Sequence, residues 1–304
     1  MTNKKVSVAI ATYNGAKYLS EQLDSIFAQT LLPDEVVVVD DCSTDNSWKI
    51  LQDYSSVYKI IKIYRNERNV GVTKTFERAL SISSGDFIAL ADQDDYWLPN
   101  KLELLMANID SHLLIYSDYL IVNENLDTLF DSSKKVLPYH DGSLSMFYLR
   151  CNVPGCATLY SRKLIDLALP FPDEIISHDH YLVVLAKFFG SIGYYNGSLL
   201  KYRQHANNVS GGIYKQNYAQ MIDYFILHSK FCDTLMNSRF EFNQKEILCV
   251  KNYFDSIVNS TPPRFSTVYW VYKRLKFQQL VSFLAYSMLG RSVAKFIYKL
   301  LHRI

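Results

Sequence analysis

Apolar and polar positions alternate along the first 91 residues in blocks of two kinds. Val6 to Thr12 is an unbroken β-rich run. Gly15 to Gln29 carries Tyr18, Leu19, Leu23, Ile26 and Phe27 at helical spacing, and Pro33 then breaks the chain. Glu35 to Val39 holds four consecutive valines and ends in Asp40-Asp41-Cys42-Ser43-Thr44-Asp45, whose Ser, Thr and Asp suit the cap of a helix running to about Tyr54. Ile60 to Tyr64 is a third apolar run, Val72 to Ser84 a helical stretch closed by Gly85, and Phe87 to Ala91 a fourth run. Strands that are apolar at every position fit a parallel sheet covered on both faces. The alternation of strand and helix predicts an α/β fold, with βαβ units and right-handed crossovers.

Ligands of such sheets bind outside the carboxyl ends of the strands. Three of those ends are polar clusters: Thr12-Tyr13-Asn14, Asp40 to Ser43, and Asp92-Gln93-Asp94-Asp95. The first strand-to-helix turn has one glycine, Gly15, and no G-x-G-x-x-G, which disfavours a dinucleotide oxidoreductase. The absence of G-x-x-x-x-G-K-[ST] disfavours a P-loop NTPase.

Beyond Ala91 the pattern loosens. Asn100 to Asp110 is predicted as a helix, and Leu113 to Ser117 and Tyr119 to Asn123 as strands. Asp127 to Gly142 is polar and expected as a loop over the site. Cys156 to Tyr160 reads as a strand, Ile176 to Gly190 as a helix opened by Ser177-His178-Asp179-His180, and Ser198 to Arg203 as a strand. Asn207 to Gly212 is expected as a turn, followed by helices over Tyr214 to Cys232 and Phe242 to Val258. The expected organisation is a catalytic domain over residues 1–212 and a helical extension over 213–304.

The acidic cluster after the fourth run is the main chemical signal. Three carboxylates within four residues repel unless a cation or hydrogen-bond donors offset them. Hard divalent cations such as Mg²⁺ or Mn²⁺ take carboxylate oxygens shared with substrate phosphates. The other reading is a solvated acidic loop before the helix opened by Pro99.

Composition narrows the class. The five cysteines are odd in number and form no C-x-x-C pair, which fits a reducing compartment rather than a disulfide scaffold or structural zinc. No secretory signal is recognised, so a cytoplasmic location is expected. The net charge of +2 conceals a split. From Ser256 to Ile304 the chain has eight Lys or Arg and no acid, leaving 24 basic against 30 acidic residues before it. Arg291, Lys295, Lys299 and Arg303 recur beside an apolar helical face that includes Phe296, Ile297 and Leu300. Upstream, Tyr269-Trp270 and Lys273-Arg274 mix aromatic and basic residues. This pattern suits peripheral contact with the inner face of an anionic plasma membrane, or else a helix packed on the body. The uncharged stretch from Lys276 to Arg291 is too short to span a bilayer. Nucleic acid is disfavoured, because the basic residues lie within an apolar helix rather than on an open groove.

Taken together, Thr12-Tyr13-Asn14-Gly15, the Val39-Asp40-Asp41-x-Ser43 strand end, and Gly85-Asp86-Phe87-Ile88-Ala89-Leu90-Ala91-Asp92-Gln93-Asp94-Asp95-x-Trp97-x-Pro99-x-Lys101-Leu102-Glu103 resemble the family 2 glycosyltransferases. Pro154-Gly155-Cys156, His178-Asp179 and Tyr202-Arg203-Gln204-His205 resemble the bacterial rhamnosyltransferase branch. The resemblance covers about residues 5 to 210. It implies a GT-A fold: a Rossmann-like, mostly parallel sheet flanked by helices, which binds a nucleotide-diphosphate sugar with Mn²⁺ or Mg²⁺.

The resemblance places Asp94 on the metal, with His205 as a further ligand. It places Asp92 near the ribose, with Gln93 beside it, and leaves Asp95 a structural role such as capping the next helix. Tyr13 would stack on the base, with Thr12 and Asn14 alongside, and Asp41 would accept from a pyrimidine N3–H. Lys74 matches a basic position near the nucleotide, and is equally a solvated helix-face lysine. Asp179 aligns with the catalytic base; the other reading is an acid stabilised by the helix macrodipole. Trp97, Gly155 and His178 would shape the acceptor pocket, although Trp97 also reads as a core aromatic.

The implied reaction is inverting transfer of a sugar, L-rhamnose from dTDP-L-rhamnose first, to a lipid-linked or oligosaccharide acceptor in bacterial cell-surface polysaccharide synthesis, such as O-antigen. Transfer of galactose, galactofuranose or N-acetylglucosamine from a UDP-sugar is a second reading. A non-catalytic nucleotide-sugar-binding or membrane-adaptor protein is a third.

Overall fold

The computed structural model describes residues 4–131, 153–205 and 218–259. The expected loop from 132 to 142, the turn at 207–212 and the basic tail from Arg264 to Ile304 lie outside the described residues. The chain divides into two units. The first takes in residues 1–141, 152–171 and 177–208; the second takes in 142–151, 172–176 and 209–304.

In the first unit the four apolar runs become strands β1 (Val6–Thr12), β2 (Glu35–Asp40), β3 (Ile61–Arg65) and β4 (Phe87–Ala91). Every residue of β1, β2 and β4 is buried. Between them run helices α1 (Leu19–Phe27), α2 (Ser47–Val57) and α3 (Val72–Ile82). The β2 and β4 strands flank β1 in parallel, and β3 lies parallel outside β2. Thr12 pairs with Asp40 and Asp40 with Arg65, so these strand ends share one edge. Alternate residues on β1, among them Val6, Val8 and Ile10, pack with Leu19, Leu23 and Leu51 from α1 and α2. Helix α3 packs against β1 and β2 and also meets the later helix that carries Asp179.

The rest of the sheet is mixed. The elements are β5 (Tyr96–Trp97), α4 (Lys101–Asn108), β6 (Leu114–Val122), β7 (Thr128–Asp131), β8 (Thr158–Ser161), α5 (Arg162–Ala168), α6 (His178–Phe189) and β9 (Ile192–Arg203). Strand order is β3-β2-β1-β4-β8-β6-β9-β5, with β7 on β6. The β8 strand runs antiparallel to β4 and β6, while β6 and β9 are parallel. The parallel pattern thus holds for the first four strands and gives way to a mixed half.

Several expected boundaries move. The two strands expected over 113–123 are one strand, with register breaks around Ser117 and Asp118. The start of the expected 127–142 loop is strand β7. Strand β9 extends well upstream of Ser198, and Cys156 falls in a 3₁₀ turn, Gly155–Ala157, ahead of β8. The two-residue β5 and the short α5 were not expected, since neither is long enough to show a period.

In the second unit, α7 (Tyr218–Met236) and α8 (Gln244–Val258) pack on each other. Lys251 bridges them through Asp233 at 2.9 Å and the Ser229 hydroxyl at 2.9 Å. Among the described residues, no helix is long and apolar enough to cross a membrane.

At the opposite end of the sheet from Thr12, Glu35 anchors the start of β2. Its carboxylate accepts from the Ser7 hydroxyl at 2.6 Å and Lys62 at 2.6 Å, and also from Ser84. Burial alone would raise its pKa, but the hydrogen bonds from Lys62, Ser7 and Ser84 outweigh that and hold it at about 2, below the usual 4.5. A depressed carboxylate stabilises the fold fully above its unfolded pKa and loses that contribution as pH falls through the folded value. Glu35→Gln is therefore expected to cost about 1.5–3 kcal/mol at neutral pH. In denaturant titrations the gap to the parent should narrow as pH drops below about 4.5. A gap that stays constant down to pH 2 would refute the role given to Glu35.

Candidate active site

The loop after β4 sends four consecutive side chains to four different neighbours. Gln93 turns back to β1. Its Oε1 accepts from the Thr12 hydroxyl at 2.7 Å and the Tyr13 N–H at 2.8 Å, and its Nε2 donates to the Tyr13 carbonyl at 3.2 Å. A Cβ at residue 15 would lie 2.3 Å from Gln93 Oε1, so only glycine permits this tie. The lone glycine of the first turn thus makes room for a side chain rather than a phosphate. Thr12 and Gln93, expected as nucleotide contacts, spend these polar atoms joining β1 to β4. Tyr13 presents an open ring, 44% exposed. Asn14, at φ +49°, accepts from the Thr44 N–H at 2.8 Å and donates its own N–H to the Ser43 hydroxyl, tying the β1 and β2 ends together.

Asp41 is buried, and its carboxylate accepts from the Asn66 amide at 2.8 Å and from the Val70 and Gly71 N–H groups at 2.9 Å each. It fixes the turn into α3, so the expected base contact meets a carboxylate already holding three donors. The neighbouring Asp40 pairs with Arg65 at 3.1 Å and leaves its Oδ1 buried with no protein partner. Lys74 sits on the outer face of α3, half-exposed and paired with Glu77 at 3.0 Å. It lines a surface hollow with Arg78, Ser81, Leu169 and Pro170.

Asp94 turns toward the end of β9, where His205 Nε2 meets its Oδ2 at 2.7 Å. Arg203, buried at the end of β9, donates Nε to the Asp94 carbonyl at 2.7 Å and its backbone N–H to Asp95 Oδ1 at 3.1 Å. Its guanidinium also reaches the Glu124 carbonyl and the Glu21 carboxylate, and lies over the Tyr18 ring. Asp95 therefore does not cap α4, whose N-cap is Asn100. It points inward, fully buried, and burial followed by the charges of Asp92 and Asp94 raises its pKa well above the usual range.

Asp92 is half-buried. Burial, then the negative charges of Asp94 and Asp179, push its carboxyl up, with Cys156 and Lys101 pulling the other way. Lys101 has no exposed surface. Its amine donates to the Cys156 carbonyl and rests 3.4 Å above the Trp97 ring. Burial pulls the amine down to about 7 against the opposing pull of Cys156, Asp95 and Asp92. Trp97 is 1% exposed and belongs to the core around α1, α4 and β9. This corrects its assignment to the acceptor pocket: Lys101 occupies one face of the ring and the core encloses it.

Asp179 stands in the first turn of α6, a helix capped by Ser177. Its Oδ1 accepts from the Ser177 hydroxyl and from the His180 N–H at 2.8 Å; its Oδ2 accepts from the Gly155 N–H at 3.2 Å. A helix N-terminus stabilises an ionised acid there. A Cβ on Gly155 would stand 3.3 Å from Asp179 Cβ and 3.4 Å from His178 Nε2, so the turn and the helix start are in close contact. His178 is buried on the Phe76 ring at 4.2 Å, and burial lowers its pKa against the pull of Asp179, favouring neutral imidazole.

The donor set fits a divalent cation of the Mn²⁺ type, because carboxylate and neutral imidazole are its usual ligands. Asp94 and His205 already meet, and the Asp92 carboxyl feels the charge of Asp94. A second grouping, Asp92, Asp95 and Cys156, brings its ligand atoms within 4.8 Å of one another. It faces the core. Burial, then the charges of Asp95 and Asp92, push the Cys156 thiol up, and a protonated thiol is a poor ligand for a hard cation.

Lys101, Arg203 and Gln93 carry structural weight in the site that their sequence positions did not reveal. For Lys101 the available signal was its place in the Pro99-x-Lys101-Leu102-Glu103 stretch that follows the acid cluster.

Comparison with known proteins places this geometry. The pattern of Glycosyl transferase family 2 matches residues 7–167, more than half of the chain. An Escherichia coli protein named UDP-Glc:alpha-D-GlcNAc-diphosphoundecaprenol beta-1,3-glucosyltransferase WfgD is 28% identical over 222 residues, 71% of this chain and 83% of that protein. The chain spans 60 to 66% of the length of the first curated relatives it matches. Among solved structures, S. aureus TarS 1-349 in complex with UDP-GlcNAc superposes with a TM-score of 0.61 at 23% identity, over 92% of this chain and 80% of that one. The Pyrobaculum calidifontis mannosyltransferase PcManGT, in complex with GDP-Man and Mn²⁺, gives 0.60 at 16% identity, over 97% of this chain and 83% of that one. The fold is the GT-A arrangement, and the chain belongs to glycosyl transferase family 2.

Proposed function

We propose that this protein transfers a sugar, with inversion, from a nucleoside-diphosphate donor to a hydroxyl of a lipid-linked saccharide in the assembly of a bacterial cell-surface polysaccharide. The observation that carries the reading is electrostatic. Asp179, from the second half of the domain, lies near enough to the acidic loop to raise the pKa of Asp92. Together with the Gly155 N–H on Asp179 Oδ2, in the turn that leads into β8 beside β4, this supports a base and a cation site at the carboxyl edge of the sheet, where such folds bind ligands.

Asp179 takes the proton of the acceptor hydroxyl. The acceptor oxygen forms a bond to the anomeric carbon. The bond from that carbon to the diphosphate oxygen breaks, and its electron pair leaves with the nucleoside diphosphate. Ser177, His180 N–H and Gly155 N–H hold the base in place. Tyr13 offers a face for the base of the nucleotide, and Asp92 stands toward the ribose. Asp94 and His205 would hold the cation, whose contribution is to neutralise charge on the departing diphosphate. L-Rhamnose from dTDP-L-rhamnose is the donor favoured by the rhamnosyltransferase-like motifs. A UDP-hexose is the second reading, favoured by the UDP-Glc specificity in the name of the E. coli relative. The basic tail would rest on the anionic inner face of the plasma membrane, where such acceptors are anchored.

The test is release of nucleoside diphosphate from a donor panel of dTDP-L-rhamnose, UDP-Glc, UDP-GlcNAc and UDP-galactose, with Mn²⁺ or Mg²⁺ and a lipid-linked acceptor extract. One donor should be consumed, and Asp179→Asn should lower transfer by about 10²–10⁴-fold while nucleoside diphosphate still binds. Consumption of no donor would sink the proposal, and loss of binding would reassign Asp179. Asp94→Asn and His205→Ala should each raise the Mn²⁺ concentration for half-maximal activity by about 10–100-fold. An unchanged metal requirement removes that residue from the site. Replacing Arg291, Lys295, Lys299 and Arg303 with Glu should abolish sedimentation with anionic phospholipid vesicles. Equal sedimentation of the variant and the parent would favour a tail packed on the body.

A further inference from the structure

We infer that Lys101 is a positioning residue for the transfer: its buried amine fixes the Pro154-Gly155-Cys156 turn against the acidic loop, and that turn sets where Asp179 stands. The inference rests on the reading of Asp179 as the base. A lysine with no exposed surface is expensive to bury and persists where its charge has defined partners. Here the partners are the Cys156 carbonyl, the Trp97 face, and the charges of Asp95 and Asp92. None of these is a substrate group.

The link to chemistry runs through the turn. Lys101 is anchored at the start of α4, where its own N–H donates to the Leu98 carbonyl at 3.1 Å and the next N–H reaches Gln29 Oε1. From that fixed point the side chain clamps Cys156. The turn is closed on itself, with Ala157 N–H on the Pro154 carbonyl at 3.0 Å and the Thr158 hydroxyl on the Gly155 carbonyl. A displacement of Cys156 therefore carries Gly155 with it. Gly155 donates to Asp179 Oδ2 and packs against Asp179 Cβ and His178. Small displacements of a base from its proton lower turnover steeply.

The experiment is steady-state kinetics on Lys101→Met, which keeps the apolar stem on Trp97 and removes the amine. The expected result is a fall in kcat of roughly ten- to hundredfold, larger than any accompanying change in donor KM or Mn²⁺ requirement. Added to Asp179→Asn, it should cost almost nothing further, since both changes act on one step. Hydrogen exchange in the full chain should show faster exchange at Ala157 in Lys101→Met. A folded Lys101→Met with kcat within about twofold of the parent overturns the inference, as does a loss that adds fully to that of Asp179→Asn. If Lys101→Met does not fold, Trp97→Phe loosens the seat of the amine without removing it. A lowered kcat at constant KM then supports the inference and an unchanged kcat overturns it. Asp179→Asn that retains full transfer instead defeats the base reading itself, a separate outcome.

Discussion

Four carboxylates, Asp92, Asp94, Asp95 and Asp179, converge where water is scarce, and the design of the domain follows from keeping them there. Burial and mutual repulsion push the Asp92 and Asp95 carboxyls upward. Unrelieved, such a cluster would destabilise the fold by several kcal/mol per unpaired charge. The relief is distributed. Lys101 stands on the core side, the Arg203 backbone N–H meets Asp95, His205 meets Asp94, and the start of α6 meets Asp179. Asp92 still has the charges of both Asp94 and Asp179 acting on it. A divalent cation bound there, as proposed, would supply positive charge at that point.

The mixed half of the sheet is what makes this compensation possible. The parallel half alone would bring Thr12, Asp40 and Ala91 to one edge, with the loops after them. It could not supply a base or an imidazole, because its helices lie between strands already used. Inserting antiparallel β8 beside β4 delivers the Gly155 turn to the same edge. Running β9 parallel to β6 and on past β5 delivers Arg203 and His205. The mixed half of the sheet thus brings Gly155, Arg203 and His205 to the edge that the parallel half forms.

How much of this could be read from the chain depended on how local each signal was. The valine run of β2 and the apolar run of β4 needed only their own residues to declare buried strands, and both fall within a residue of expectation. The polar strand ends were legible for the same reason. Lys101 and Arg203 were not. A lysine after Pro99-Asn100 looks like any solvated helix start, and only the folded chain shows Trp97 beneath it and Cys156 across from it. Trp97 misled in the opposite direction: a tryptophan beside an acidic motif suggests a sugar platform, yet its ring is enclosed in core. Gln93 and Thr12 carried hydrogen-bonding groups that sequence reasoning gave to a ligand, whereas the fold uses them to join two strands. Long-range pairing is the information a linear pattern lacks.

The order Asp-Gln-Asp-Asp itself has a structural logic. Gln93 is held by β1, Asp94 by His205, Asp95 by Arg203, and the Asp92 carboxyl is left between Asp179 and Lys101. Each side chain is fixed by a different part of the chain, so the loop is determined independently of any ligand. Dipoles and charges held in place before the reaction need no reorganisation during it, which is the most effective form of electrostatic catalysis. The repulsion retained among Asp92, Asp94 and Asp95 is a cost in stability that the fold carries at this point.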